Sequence, residues 1–164
     1  MADMLGKKDI AEKYTKKAKE MAAEWVKMAD DGDHYRLTFD KPGTWSQKYN
    51  LVWDKLLKLQ IFPEKVAETE IAYYLTKQNK YGLPLDNRET YTKTDWIMWT
   101  ATMAQDKATF EKFIEPVYLF MDETTTRVPM SDWVFTDNPI QRSFQARSVV
   151  GGYFIKMLEE KLTK

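Results

Sequence analysis

The sequence predicts an all-α fold in which helical hairpins are arranged as part of an α/α toroid, with three inner/outer helix pairs. Three observations support this prediction. Apolar residues recur at helical spacing, long and short connections alternate along the chain, and the resulting unit recurs three times. The period is roughly 45 to 50 residues, which is typical of helical repeats. We therefore expect residues 1–164 to form a single helical-hairpin domain.

The individual helices follow from spacing and from end signals. Over residues 7–30, apolar residues recur at helical spacing and Lys and Glu fill the positions between them, which predicts an amphipathic helix. Gly32 is a suitable end signal after this helix. Pro63 suits a first helical turn, and Asp106 is a suitable N-cap. The later helical segments are expected over residues 49–59, 63–79, 95–104, 110–121 and 145–162.

The alternation of connector lengths predicts where the loops lie. Helices joined by short links run antiparallel, so the long loops should all fall at one end of the stack. The helices that begin near Tyr49, Asp95 and Phe144 are the more apolar ones, and we expect them to be the inner helices. The helices rich in Lys and Glu should face water.

Composition excludes several classes of function. Basic and acidic residues balance at 25 each, so nothing indicates a nucleic-acid partner. No apolar run is long enough to span a membrane, and residues 1–8 lack the apolar stretch of a signal peptide. Cysteine is absent and His34 is the one histidine, so we expect no metal and no cofactor. His34 stands among aspartates and is predicted to be a solvated turn residue. Serine has no nearby histidine, which argues against a nucleophilic triad.

Three aspartates with a tryptophan beside them, Asp54, Asp95 and Asp132, are the candidate catalytic residues. Asp95 stands at the start of an apolar helix, where free N–H groups and the helix dipole should hold its carboxylate ionised. Such a group at the mouth of a ring could bind an ammonium or position a water as a base. The alternative is a plain helix residue, for Asp95 and more so for Asp54. Asp132 has no evident capping role and is the strongest of the three.

The predicted loop face is also rich in arginine and tryptophan. All five arginines fall in the long loops or in the first turn after one, and arginine suits carboxylate ligands. The alternative is that the rings pack helix ends and the arginines pair with loop aspartates. The Gly151-Gly152 pair is expected to allow close packing against a neighbour. The candidate substrate-binding residues are Arg147, Arg127, Arg88, Trp45, Trp96, Trp133 and Gln145.

The sequence contains seven stretches, at residues 43–50, 52–54, 81–88, 92–96, 99–101, 127–133 and 144–152. Together, and in this order, they resemble the signature blocks of glutaminase A-type proteins. The resemblance implies a C-terminal helical region excised from a longer multidomain protein with a β-rich N-terminal part, secreted or periplasmic, that hydrolyses L-glutamine to glutamate and ammonia. It carries over no catalytic residue.

Three hypotheses follow for the function. In the first, the parent is a glutaminase-type amidohydrolase: Arg147 or Arg127 binds the substrate α-carboxylate, and Asp132 or Asp95 holds the α-ammonium. In the second, the toroid is carbohydrate-active, with tryptophans stacking on sugars and two aspartates as acid and base. In the third, the segment is a structural wall. We expect the isolated chain to be inactive, to need the remaining domains of its parent and a small-molecule substrate, and to bury exposed apolar surface as a homodimer.

Overall fold

The computed structural model describes residues 1–162 of the chain, and this part is mostly helical, as predicted. No helix in it combines the length and the apolar character that a bilayer crossing requires. The α-helices of residues 1–162 are α1 (Lys8–Ala29), α2 (Val52–Leu56), α3 (Glu64–Leu75), α4 (Thr94–Thr102), α5 (Lys107–Glu123) and α6 (Ile155–Leu162).

The strongly periodic helices lie where the sequence predicts them. Helices α1, α4 and α5 match their predicted ranges to within a few residues. Asp106 is the N-cap of α5, and its Oδ1 accepts from the Thr109 backbone N–H at 2.8 Å. Helix α1 ends three residues before Gly32, which lies in the left-handed region with φ of +88°. These matches confirm the periodicity and capping arguments.

Three predicted helices are shorter than expected. The 49–59 segment is a 3-10 turn (Tyr49–Leu51) followed by only five residues of α2, because Lys58 and Gln60 have positive φ and end the helix. Helix α3 ends at Leu75 rather than near residue 79. The last segment is a 3-10 helix (Ser148–Phe154) before α6. Two adjacent glycines lower the helix propensity of that stretch.

Two short strands interrupt the otherwise helical chain, and the sequence did not predict them. Strand β1 (Tyr91–Lys93) pairs antiparallel with β2 (Trp133–Phe135), so that Lys93 stands opposite Trp133. They lie within the second and third long loops. Loops packed against each other must satisfy their backbone groups, and pairing as a two-stranded ribbon does so.

The three long loops lie side by side, as the connector lengths predict. The Gln47 backbone N–H donates to Leu85 O at 2.9 Å, which joins the first loop to the second. The second and third loops are joined through the β1–β2 ribbon and by Tyr81 N–H donating to Thr136 O at 2.8 Å. Short connectors meet elsewhere, where Gln105 Nε2 donates to a Glu64 carboxylate.

Helix α4 is the centre of the core and is covered on several sides, as expected for one of the more apolar helices. Seven of its nine residues are buried, including Ile97 and Ala101. It packs on α5, on α6 and on the 3-10 helix before α6. The other large side chains that are fully buried include Val52, Tyr74, Leu83 and Phe113.

Helix α6 does not match the inner position predicted for it. Only Ile155 of this helix is buried. Helix α1 is similarly bare, since Ala22 and Ala29 are its only buried residues. Both helices therefore leave apolar side chains in solvent because no further helix covers them in residues 1–162. The exposed apolar residues are Ile10, Tyr14, Met21 and Met28 on or next to the stripe of α1, and Phe154, Met157, Leu158 and Leu162 at α6.

The prediction that His34 is solvated was wrong. Its side chain is 6% exposed and its ring stacks on Tyr73, with centroids 4.2 Å apart. His34 Nδ1 lies 2.7 Å from a carboxylate oxygen of Asp33. The first long loop folds back over α3 and buries the ring, which a run of polar neighbours in the sequence does not reveal.

Candidate active site at the loop end

Two of the three candidate aspartates come together at the loop end. Asp95 lies in the first turn of α4, and Asp132 directly precedes β2. The ribbon fixes them together because Thr94 N–H donates to the Asp132 carbonyl at 2.8 Å. Asp95 is 4% exposed and Asp132 is 1% exposed. The structure thus places two buried carboxylates as neighbours.

Asp132 is held by two cations. Its Oδ2 accepts from Lys93 Nζ at 2.9 Å and from Arg147 Nη1 at 3.1 Å. Lys93 is itself largely buried, and Arg147 covers the pair from the solvent side. Two cations on one carboxylate compensate the cost of burying its charge. Arg147, a candidate for substrate binding, is therefore already engaged with Asp132.

Asp95 is in a different electrostatic environment. Burial, and after it the negative charge of Asp132, raise the pKa of Asp95 to about 6, against the opposing effect of helix N–H groups and of Lys93. The helix N–H groups act in the expected direction, since they favour the ionised carboxylate, but burial outweighs them and the net change in the pKa is upward. Two neighbouring carboxylates with environments this different are typical of an acid–base site.

The wall around Asp95 is formed by the turn that precedes α6. Tyr153 Oη donates to Thr94 Oγ1 at 2.5 Å, and burial raises the pKa of Tyr153, so it stays a neutral phenol. Gly152 lies against the side of Asp95. A Cβ at Gly152 would come within 2.9 Å of both Asp95 Cβ and Trp99 Nε1. The close approach expected for the glycine pair is therefore real for Gly152, while Gly151 faces open space.

Gly152→Ala is expected to lower the free energy of unfolding by about 1–3 kcal/mol, the range found when a well-packed site is overfilled. Gly151→Ala is the matched control, since a Cβ there meets nothing within 4 Å, and it should be neutral or slightly stabilising. Chemical denaturation of both variants measures the difference. Equal stability of the two would contradict the packing of Gly152 on Asp95.

Unsatisfied polar atoms are concentrated in this region. Of the nine buried side-chain atoms in residues 1–162 without a hydrogen-bond partner, six belong to residues 95–99 and 132–141. Such atoms need water or a ligand to satisfy them. No group of three or more His, Asp or Glu side chains in residues 1–162 is placed to hold a metal ion. The six atoms are Asp95 Oδ1, Trp99 Nε1, Asp132 Oδ1, Trp133 Nε1, Asn138 Oδ1 and Gln141 Oε1.

Trp133 and Trp96 lie at the site but face different neighbours. Lys93 Nζ lies 4.4 Å from the centroid of the Trp133 ring, so Trp133 adjoins the cation that holds Asp132. Trp96 stacks on Tyr49, with centroids 4.0 Å apart. It also lines a groove of about 590 Å³ together with Trp25 and Trp53.

The remaining candidates lie outside the carboxylate pair. Asp54 accepts from the backbone N–H groups of Ile61 and Phe62, at 2.9 and 3.0 Å, and closes the turn after α2. Trp45 is 6% exposed and belongs to the core. Gln145 is half-buried in the loop before the 3-10 helix.

Two candidate arginines are used within the chain. Arg88 pairs with Asp86 at 2.6 Å. Burial opposes ionisation of Asp86, but the Arg88 bonds outweigh it and lower the pKa of that carboxyl. Arg127 donates to the Thr124 and Asp122 carbonyls at 3.2 and 2.9 Å, where it caps the end of α5.

Sequence reasoning missed Lys93 and Tyr153 as parts of the site. Lys93 lies two residues before the candidate Asp95, and this nearness in the sequence could have marked it as a residue of the site. Nothing in the sequence near Tyr153 indicated that its turn folds onto Asp95.

Fold and site together define a helical-hairpin domain with a buried carboxylate pair at its loop end. Residues 1–157 match the family model described as the Glutaminase A six helical-hairpin domain. The chain belongs to this family, which confirms the resemblance seen in the sequence.

Two curated relatives are similar to the chain. Glutaminase A of Aspergillus oryzae is 31% identical over 96% of this chain and 24% of its own length. A probable glutaminase of Arthroderma benhamiae is 29% identical over 80% of this chain and 19% of its own length. The chain thus spans about a quarter or less of the relatives it matches. No solved structure matches it significantly.

Proposed function

We propose that the chain is part of the α/α toroid of a longer glutaminase A-type amidohydrolase, and that its loop end supplies acid–base carboxylates to the active site. The observation that carries the proposal is the buried Asp95, with an unpartnered Oδ1 and a pKa raised to about 6, beside the charge-compensated Asp132. The name of the relative from Aspergillus oryzae supports L-glutamine as the substrate.

Hydrolysis of a carboxamide needs a base for water and an acid for the leaving nitrogen. Near neutral pH a carboxyl with a pKa of about 6 is mostly ionised and can accept a proton from water as its oxygen adds to the amide carbonyl carbon. The same carboxyl then returns that proton to nitrogen as the C–N bond breaks, which gives glutamate and ammonia. Asp132, fixed by Lys93 and Arg147, keeps the pKa of Asp95 raised and offers Oδ1 to the substrate ammonium.

The assay that tests this proposal compares products released by the longer protein from L-glutamine and from a glycan panel. Ammonia release without sugar release is the expected result. Sugar release without ammonia would refute the proposal and favour the carbohydrate-active alternative. The groove lined by Trp25, Trp53 and Trp96 supports that alternative, because aromatic rings stack on sugar faces. Activity on neither substrate class would contradict both catalytic hypotheses.

We infer that the bare faces of α1 and α6 contact the rest of the toroid, with the remaining domains of the parent beyond. Exposed side chains such as Tyr14, Met21, Phe154 and Met157 support this inference, since apolar surface of this kind is typically buried at interfaces. The isolated chain should then lack part of the substrate pocket and be inactive. Turnover of glutamine by the isolated chain would contradict this.

The isolated chain is expected to form a homodimer through the same faces. Multi-angle light scattering of the purified chain should give twice the monomer mass of 19.4 kDa. Replacing Met157 with Lys, which adds charge to the α6 face, should shift the population toward monomer, whereas Lys65→Met on exposed α3 should not. A monomer at all concentrations would contradict the prediction.

The parent is also proposed to be secreted or periplasmic, as the family resemblance implies. Fractionation of the source cells should find it in the medium or the periplasm, and its confinement to the cytosol would contradict this.

A further inference from the structure

Arg142 lies over three aromatic rings on the surface of the β1–β2 ribbon. Its guanidinium carbon lies 5.4 Å from the ring centroids of Tyr91 and Trp133 and 5.6 Å from that of Phe135. Its backbone N–H donates to Trp133 O at 2.7 Å. Contact with three rings restricts an otherwise flexible side chain, which lowers the conformational entropy that it would lose when a ligand binds.

Arg142 is also the arginine whose side chain has neither an ion pair nor a hydrogen bond within residues 1–162. Arg36, Arg88 and Arg147 pair with Asp31, Asp86 and Asp132 at 2.9, 2.6 and 3.1 Å. Arg127 donates to backbone carbonyls. Within residues 1–162, no carboxylate lies within salt-bridge distance of Arg142, and its residue is exposed. Its planar fork of donors is therefore available to an anion from outside the chain.

A chain of contacts links Arg142 to the carboxylate pair. Trp133 is the shared neighbour, because its ring contacts both Arg142 and Lys93, and Lys93 bonds Asp132. The adjoining segment carries buried polar atoms without partners, namely Trp133 Nε1, Asn138 Oδ1 and Gln141 Oε1. The cation of Arg142 matches a ligand carboxylate, and the buried pair Asp95 and Asp132 matches a ligand ammonium. The site therefore suits a ligand that carries both groups.

We propose that Arg142 binds the α-carboxylate of an α-amino acid substrate at this site. The inference rests on the proposed function, since the amino acid is the amide substrate that Asp95 would hydrolyse. It assigns to Arg142 the role that the sequence suggested for Arg147 or Arg127, because both of those side chains are engaged within the chain.

Steady-state kinetics of the longer protein test the assignment. Arg142→Met should raise KM for L-glutamine by roughly 10- to 150-fold, the worth of a hydrogen bond to a charged group, with kcat changed less than threefold. Arg142→Lys keeps the charge and should lie between wild type and Arg142→Met. With 4-aminobutanamide, which has the amine and the amide but no α-carboxylate, wild type and Arg142→Met should have the same KM. An Arg142→Met effect of equal size on both substrates would overturn the proposal.

Lys13→Met is the matched control. Lys13 also lies over an aromatic ring, 6.0 Å from the Tyr14 centroid, but on the distant helix α1. This variant removes the same charge and the same kind of ring contact, and it should leave both KM values unchanged. The melting temperature of each variant shows whether it is folded, and so separates loss of folding from loss of the anion site. If Arg142→Met does not fold, the KM of the folded Arg142→Lys variant tests the proposal instead.

Direct binding separates this inference from the proposed function. Calorimetric titration with L-glutamate should show saturable binding to the wild-type longer protein and at least tenfold weaker binding to Arg142→Met. Equal affinity of the two, or no binding to wild type, would overturn the assignment to Arg142. If the wild-type protein binds glutamate but releases no ammonia from L-glutamine, the result would count against the amidohydrolase function and not against the assignment of Arg142.

Discussion

Asp95→Asn in the longer protein is expected to lower kcat for glutamine hydrolysis by about 10²- to 10⁴-fold, the usual contribution of a general acid–base group. Asparagine keeps the shape of the side chain but cannot accept a proton from water. It also removes the buried negative charge beside Asp132, so the variant should fold at least as well as wild type. The loss therefore reports on chemistry and not on stability. Ammonia release under saturating glutamine measures it.

The wild-type pH profile gives a second readout of the same carboxyl. Asp95 must be ionised to act as the base, so kcat/KM should fall as pH drops through about 6, the raised pKa of that carboxyl.

Asp106→Asn is the matched control for the Asp95→Asn variant. Asparagine also caps helices well, and Asp106 lies at the N-terminus of α5, so this variant should keep wild-type kcat. An Asp95→Asn variant within threefold of wild-type kcat would remove Asp95 from the mechanism.

Asp132→Ala is expected to have the largest effect on stability, a loss of about 3 kcal/mol in the free energy of unfolding. Removing one partner of a buried ion pair leaves an uncompensated charge, which typically costs about 3–5 kcal/mol. Here Lys93 is 13% exposed and Arg147 is 39% exposed in their side chains, so Arg147 can regain water and Lys93 bears most of the cost. The lower end of that range is therefore expected. Denaturant unfolding of the 164-residue chain measures it.

Asp137→Ala serves as the control for this loss. Asp137 lies on the exposed loop after β2, and its replacement should change the free energy of unfolding by less than about 0.5 kcal/mol. Lys93→Met combined with Asp132→Leu removes the buried charge from both sides and should recover part of the stability lost in Asp132→Ala. If Asp132→Ala changes the free energy of unfolding by less than about 1 kcal/mol, the ion pairs of Asp132 with Lys93 and Arg147 do not stabilise the fold.

Periodicity and end signals predicted the long helices because those signals are local. The stripe of α1, the apolar run of α4 and the Asp106 cap each depend on neighbours within one or two turns. The β1–β2 ribbon was not predictable in this way, since three residues are too few to show a period of two. Pairing there depends on two loops about forty residues apart meeting in space.

The candidate site was predictable by residue type but not by environment. A tryptophan neighbour marked Asp95 and Asp132, and the structure brings these two together while Asp54 closes a turn elsewhere. The raised pKa of Asp95 depends on burial by the turn that carries Gly152, and sequence alone does not show how that turn folds. The buried position of His34 was missed for the same reason.

Contacts between residues far apart in the sequence also determine which basic side chains are engaged within the chain and which are free to bind a ligand. Lysine is far more frequent than arginine in this chain, so Lys93 could not be distinguished by type from the other lysines. The ribbon register places it opposite Trp133 and within reach of Asp132. The same register leaves Arg142 unpaired above three aromatic rings.

The most direct test of the acid–base assignment is an NMR titration of the Asp95 side-chain carboxyl carbon in the ¹³C-labelled chain. We expect a pKa of about 6 for Asp95, caused first by burial and then by the Asp132 charge, and a lower pKa in Asp132→Asn. A wild-type value near the ordinary 3.8 would contradict the account, because a fully ionised Asp95 would have no special capacity to move protons at neutral pH.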